Sequence, residues 1–466
     1  MMRASIISGL CLSGLGLTLL LEGAAMASPS AQELTDAVKQ DDQARIAALI
    51  AAHANVNQPL PDSSRALSWA VDRQNESSVR LLLDAGASPN YSNVDGASPL
   101  TEACELGDPH IVGDLLKAGA DAKAVRPDAI TALALCAGTV TPEELAVLVQ
   151  KGADVNAADI SGQTALMRAA ASGRTDNIAF LIAHGANVNA VEQKGFTPLF
   201  FALRGKAPGA AMALLNAGAN IKAALPDGTS VVAAAVDNGN IPFAVAAVSR
   251  GTDLTERDAQ GRQLIHVAAA SGSADLVKMV LSKGVDANAM SQPPAAQAPA
   301  PVQVAAAAGG GGKLARADGT RPPPPPAISK PPLVFAAQAG SAPAMKALVD
   351  AGAKVSIKAQ DGTTVALAAA GSGNLDAVKY ALQLDPNLTY LGPNHRSIMH
   401  YAIENKNPDL AIPVLQYLAD KGAKLDEKND KGDTPGDFIN RGGQQDIRIF
   451  YIQLLKDHGI VSQHDH

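Results

Sequence analysis

Residues 152–184 read GADVNAADISGQTALMRAAASGRTDNIAFLIAH, and this stretch decides the fold. It opens on Gly152, just after an apolar run, Leu145 to Val149, spaced for one face of a helix. A glycine belongs there because a helix commonly closes on a residue of positive φ, which costs other residue types. Asp159-Ile160-Ser161-Gly162 carries the turn chemistry of a tight hairpin tip. Thr164 stands where its hydroxyl caps a following helix. Ala169 and Ala170 keep that helix thin, so a neighbour packs close, and Gly173 ends it. Asn177 to Ile182 supplies a second helix, with Ile178, Leu181 and Ile182 at helical spacing.

Working outward, the opening glycine recurs. Gly86, Gly119, Gly152, Gly185, Gly218, Gly251 and Gly284 follow one another at steps of 33. A fixed period of this size signals stacked supersecondary units, each burying its apolar face on its neighbours. One step back is His53, in Ala52-His53-Ala54-Asn55-Val56-Asn57. Forward lie a gap of 68 to Gly352, a step of 33 to Asp385, and two steps of 37 to Gly422 and Gly459. The register predicts about twelve units between residues 53 and 459, degenerate at the ends as capping units are. A final helix is expected from Ile447 to His458.

The pattern resembles the ankyrin repeat family. The family phrase Thr-Pro-Leu-His-x-Ala is met by Thr197-Pro198-Leu199 with Ala202. It is half met by Ser98-Pro99-Leu100 with Ala103 and by Leu264-Ile265-His266 with Ala268, and Thr434-Pro435-Gly436-Asp437-Phe438 is similar to a last-unit version. The resemblance implies an all-α solenoid of helix-turn-helix units with short β-hairpin or loop tips. It also implies that His266 and His400 bond hairpin backbone. It carries over no functional residues, because this family shares a fold rather than a chemistry.

In such proteins the concave side, made of tips and first-helix faces, contacts a partner protein. Tip positions that vary between units are therefore the candidates: Tyr91, Asn93, Arg126, Asp128, Gln193, Lys194, Asp227, Arg257, Gln260, Gln360, His395, Arg396 and Lys431. Tyr91 and Arg126 lead, since Tyr and Arg dominate interface energetics. Each also reads as a solvated loop residue taken singly. Trp69, the only tryptophan, lies 16 past His53, in a slot that faces either the groove or the core. Asp121, Asp154, Asn187, Asn220, Asp253 and Asp286 recur in register, which suits holding a turn.

Residues 1–27 differ in style. Arg3 precedes an apolar stretch, Ile6 to Leu21, and Ala25-Met26-Ala27 fits a cleavage site before Ser28, so the segment reads as a secretory signal peptide. An uncleaved anchor is the alternative, with a core shorter than the ~20 residues a membrane span needs. The implied destination is the periplasm or the exterior, with no membrane span after cleavage and a monomeric chain. Cys104 and Cys136 remain. They fall on first helices of adjacent units, whose axes lie ~8–10 Å apart. A disulfide wants Cα atoms within about 7 Å, so two buried small hydrophobes are expected instead.

Residues 289–331 break the pattern with Gln292-Pro293-Pro294, Ala305 to Ala308, Gly309 to Gly312 and Pro322 to Pro326. The expected layout is 28–288 as one array, 289–331 as a disordered insertion, and 332–462 as a second array. Counting from the hairpin-tip glycine, taken as Gly319, to the helix-start Leu333 puts all the excess in one hairpin connection. A bulge from a continuous stack, a hinge and a proline-rich ligand segment all remain open.

Catalysis finds no support. The chain has no phosphate-cradling Gly-x-x-x-x-Gly-Lys, no His-Glu-x-x-His and no Cys-x-x-Cys. His464-Asp465-His466 reads as a frayed terminus, so neither a metal nor another cofactor is expected. A net charge of −7 with scattered Lys and Arg argues against nucleic acid. The leading expectation is a non-enzymatic scaffold for a periplasmic or envelope protein. A secreted effector that imitates host ankyrin proteins is the alternative.

Overall fold

The computed structural model describes residues 30–292 and 328–460, apart from Ala259 and residues 443–444. The signal-peptide segment, the body of the insertion with Gly319, and the terminal histidines lie outside the described residues.

The described chain forms twelve helix pairs. The first six are α1 (Ala31–Lys39) with α2 (Gln43–Ala51), α3 (Ala66–Asp72) with α4 (Glu76–Asp84), α5 (Pro99–Leu106) with α6 (Pro109–Lys117), α7 (Ala132–Ala137) with α8 (Pro142–Gln150), α9 (Ala165–Ala171) with α10 (Thr175–Ala183), and α11 (Pro198–Arg204) with α12 (Pro208–Asn216). Then come α13 (Val231–Asp237) with α14 (Ile241–Ser249), α15 (Leu264–Ala270) with α16 (Ala274–Leu281), and α17 (Pro332–Gln338) with α18 (Ala342–Asp350). The last are α19 (Val365–Ser372) with α20 (Leu375–Leu384), α21 (Ile398–Ile403) with α22 (Pro408–Asp420), and α23 (Pro435–Gly442) with α24 (Gln445–Asp457). Among the described residues there are no strands. Four hairpins among the described residues carry an isolated bridge, such as Ala158 to Thr164.

Each unit follows its sequence. The Thr164 hydroxyl accepts from the Met167 N–H at the start of α9. The Asp159 carboxylate accepts the Ser161 and Gln163 N–H groups at 2.8 and 2.9 Å and shapes the tip. Gly152 closes α8 at φ +90°, and the Ala153 N–H reaches back to Leu148 O at 3.0 Å. His53 takes the same left-handed conformation, at φ +63°. Asp385 does not, with φ −145°. Pro386 follows it, and a residue before proline is driven to extended backbone.

First helices stack on first helices and second helices on second, in two layers. The seam of the first layer is one small residue per unit: Ala70, Ala103, Cys136, Ala169, Ala202, Ala235 and Ala268 are all 0% exposed. This close approach corrects the cysteine expectation: Cys104 and Cys136 form a disulfide, with Cα atoms 4.4 Å apart. The ~8–10 Å spacing applies to helix axes. Facing Cα atoms each sit ~2.3 Å inside it, which leaves ~3.5–5.5 Å.

Polar groups also bridge units. Asn156 donates to Gly185 O at 2.9 Å and accepts the Asn187 N–H at 2.8 Å. Asn57, Asn90 and Asn189 do the same in their own units. All six in-register Asp and Asn residues accept a backbone N–H two residues on, as turn holders should. Across the insertion, Asn288 bonds Gly352 O and the Lys354 N–H, the Ser341 hydroxyl donates to Gly272 O, and α15 and α16 pack on α17 and α18. The hairpin stem closes where the Ser291 N–H meets Lys330 O at 3.0 Å. The extra chain therefore leaves and returns at one tip.

Candidate partner-binding face

The tips and the first-helix layer form one face. On it the slot one residue before the seam residue carries a large or charged side chain in seven units. Trp69, Glu102, Arg168, Phe201, Phe335, Tyr401 and Phe438 occupy this slot and are half-buried. Trp69 thus serves both of its readings: its ring packs against the core, its Nε1–H donates to Ser64 Oγ at 3.0 Å, and the Lys39 ammonium lies 3.7 Å above it. Burial, then the Asp72 and Glu105 charges, pushes the Glu102 carboxyl up to about 7.

The thirteen tip candidates divide by what already holds them. Asn93, Asp128 and Asp227 accept backbone N–H groups of their own tips. Gln193 donates to Ile160 O at 2.7 Å, Gln360 exchanges bonds with Ser329, and Arg257 donates to Gly261 O and Met290 O. These side chains tie tip to tip. Arg126 pairs with Glu105 at 2.8 Å, Arg396 with Glu404, and His395 with Asp430. Tyr91 is half-buried beneath the Arg65 guanidinium, 4.3 Å from its ring, and burial pushes its hydroxyl up to about 12. Lys194, Gln260 and Lys431 present exposed side chains.

His266 and His400 are fully buried. Each accepts a backbone N–H at Nδ1, from Gln263 and Ser397, and has Nε2 against a carbonyl of the next hairpin, Ala289 O at 2.8 Å and Asp433 O at 3.1 Å. Both bonds require a neutral ring with its proton on Nε2. Burial holds both rings below the usual histidine range, His266 at about 4.

A row of apolar tips was missed in the sequence. Val94, Val125, Ile160 and Val191, on four successive units, are 72%, 51%, 66% and 62% exposed. Between α7, α9 and α11 lies a cleft of about 260 Å³, whose lining includes Glu105, Leu135, Thr139, Gln163, Arg168 and Phe201. The signal lay in the register: tips with Val or Ile where loops are ordinarily polar, and the slot 16 past each glycine, read only at Trp69. No group of three His, Cys, Asp or Glu among the described residues is placed to hold a metal. No described helix is long and apolar enough to cross a membrane.

A family model for ankyrin repeats in three copies matches residues 34–126, 102–192, 133–224, 199–291 and 333–435. The search of curated proteins gives no significant match. Ankyrin repeats are in general protein–protein interaction modules, which fits a face of tips and shallow clefts. From its matched repeats and its twelve stacked helix pairs, the chain belongs to the ankyrin repeat family.

Proposed function

We propose that this chain is an exported, non-enzymatic scaffold that binds a partner protein in the periplasm or cell envelope through its tips and first-helix face. The observation that carries the reading is an exposed Val or Ile on the tips of four successive units, the third to the sixth. Large apolar side chains left exposed on successive tips favour a protein surface as their cover. Two features support export. The segment 1–27 has the layout of a signal peptide. The Cys104–Cys136 disulfide suits an oxidising compartment. In this reading the mature chain begins at Ser28, is monomeric, and uses neither a metal nor another cofactor.

The test is affinity capture from a periplasmic extract with the mature chain, followed by mass spectrometry. The reading expects one stoichiometric protein that is lost with Ile160→Asp on the tip row and kept with Lys346→Ala on the second-helix layer. Capture that ignores Ile160→Asp, or an unprocessed N-terminus in exported material, overturns it.

A further inference from the structure

We propose that the fifth and sixth units bind an acidic segment of the partner, with an apolar side chain in the cleft and carboxylates on the surrounding cations; this rests on the scaffold reading above. The argument begins with where the charges point. Outside the second helices, these two units carry Arg168, Arg174, Lys194, Arg204 and Lys206 against Asp154, Asp159 and Glu192. Asp154 is exposed, with its carboxylate accepting the Asn156 N–H at 2.9 Å, whereas Asp159 and Glu192 are turned into their tips. The Asp159 side chain is 7% exposed, Glu192 is 6% exposed, and each accepts two backbone N–H groups. Arg168 lies 3.5 Å from Asp159, which neutralises it.

The other four cations are exposed, and none has a carboxylate oxygen within 4.0 Å among the described residues. Two are held in place. Arg204 lies 5.1 Å from the centroid of Phe196, and Arg174 donates to the carbonyls of Gly138 and Thr139, which line the cleft. The one acid on the cleft wall, Glu105, is paired with Arg126. Fixed guanidinium groups engage carboxylates at little further ordering cost. The same two units carry Phe201 in the cleft wall and the exposed Ile160 and Val191 tips. A chain of net charge −7 thus shows a local cationic and apolar patch, complementary to an apolar residue flanked by Asp or Glu.

Fluorescein-labelled peptides carrying a Leu-Phe pair between glutamates, between serines or between lysines are titrated with the full mature chain and followed by anisotropy. The glutamate peptide is expected to bind about tenfold more tightly than the serine peptide, and the lysine peptide most weakly. Arg204→Glu should reverse the order of the charged peptides, a change that loss of fold does not produce. Phe201→Ala should weaken all three while circular dichroism remains that of the parent. Equal binding of the three peptides, no binding of the glutamate peptide, or tighter binding of a labelled single-stranded oligonucleotide overturns the proposal. A natural partner that is captured equally well by Arg204→Glu overturns it too, while leaving the scaffold reading intact.

Discussion

His266 links charge to folding at a single residue. Its ring is folded in neutral form, with burial lowering its folded value to about 4 against an ordinary 6.5. Between those values the unfolded chain binds the extra proton, so stability is whole above about 6.5 and is lost as pH falls towards 4. At ~1.4 kcal/mol per unit the full loss is about 3 kcal/mol. Hydrogen exchange of α15 and α16 should therefore report easier opening at pH 4.5 than at pH 7. His266→Gln should be less stable at pH 7 and show a flatter dependence; an unchanged slope in that variant assigns the pH response to other groups. The role of this ring was legible because its slot belongs to a family phrase. Tyr91 was less legible: its slot holds Ala in five other units, and its packing against the core beneath Arg65 shows only in the structure.

At the scale of elements, the seam between α5 and α7 shows where spacing arithmetic misleads. Axis separation exceeds the separation of facing Cα atoms, and the small-residue slot at Cys136 is the sequence signal that those atoms come close. The disulfide closes a loop with a sequence separation of 32 residues and should stabilise the third and fourth units by ~3.7 kcal/mol. Reduction should lower the denaturant midpoint of the parent, and Cys104→Ala with Cys136→Ala should sit at the reduced value whatever the redox state. A midpoint indifferent to reductant would mean that the bond does not staple the stack. The asparagine bridges obey the same logic between hairpins. Asn156→Ala removes two inter-unit hydrogen bonds and should cost about 1–2 kcal/mol by urea unfolding. Asn57→Ala, in the second unit near the end of the stack, should cost less globally because terminal units open independently. The turn-holding Asp and Asn residues were readable from their register. The bridging Asn four past the glycine was equally periodic, but its partner lies in the next unit and is invisible to a reading made one unit at a time.

For the whole molecule, the period alone gave the unit count, and it also bounded the interruption to one connection. What it left open was whether the stack resumes beyond. The packing of α15 on α17 and α16 on α18, with Asn288 reaching Gly352 and Lys354, makes the junction at the insertion like every other junction. The Ser291–Lys330 stem occupies the places that Asp159 and Gln163 hold in an uninterrupted tip, where three residues intervene. Replacing residues 292–329 with Ile-Ser-Gly, the tip of the fifth unit, should therefore leave helical content unchanged. Shortening that connection from 38 residues to three should raise stability by about 2 kcal/mol, since closure entropy falls by ~0.6 kcal/mol for each halving. Nearest-neighbour coupling then predicts that the shortened chain and the parent each unfold with the two sides linked. Separate transitions for 28–288 and 332–462 in both chains would mean that the interface between α15 and α17 contributes little and that the halves are independent arrays. If the shortened chain instead loses the helical signal of its last four units, the long connection is needed to relieve a misfit between the halves, and the stem geometry does not by itself set the register.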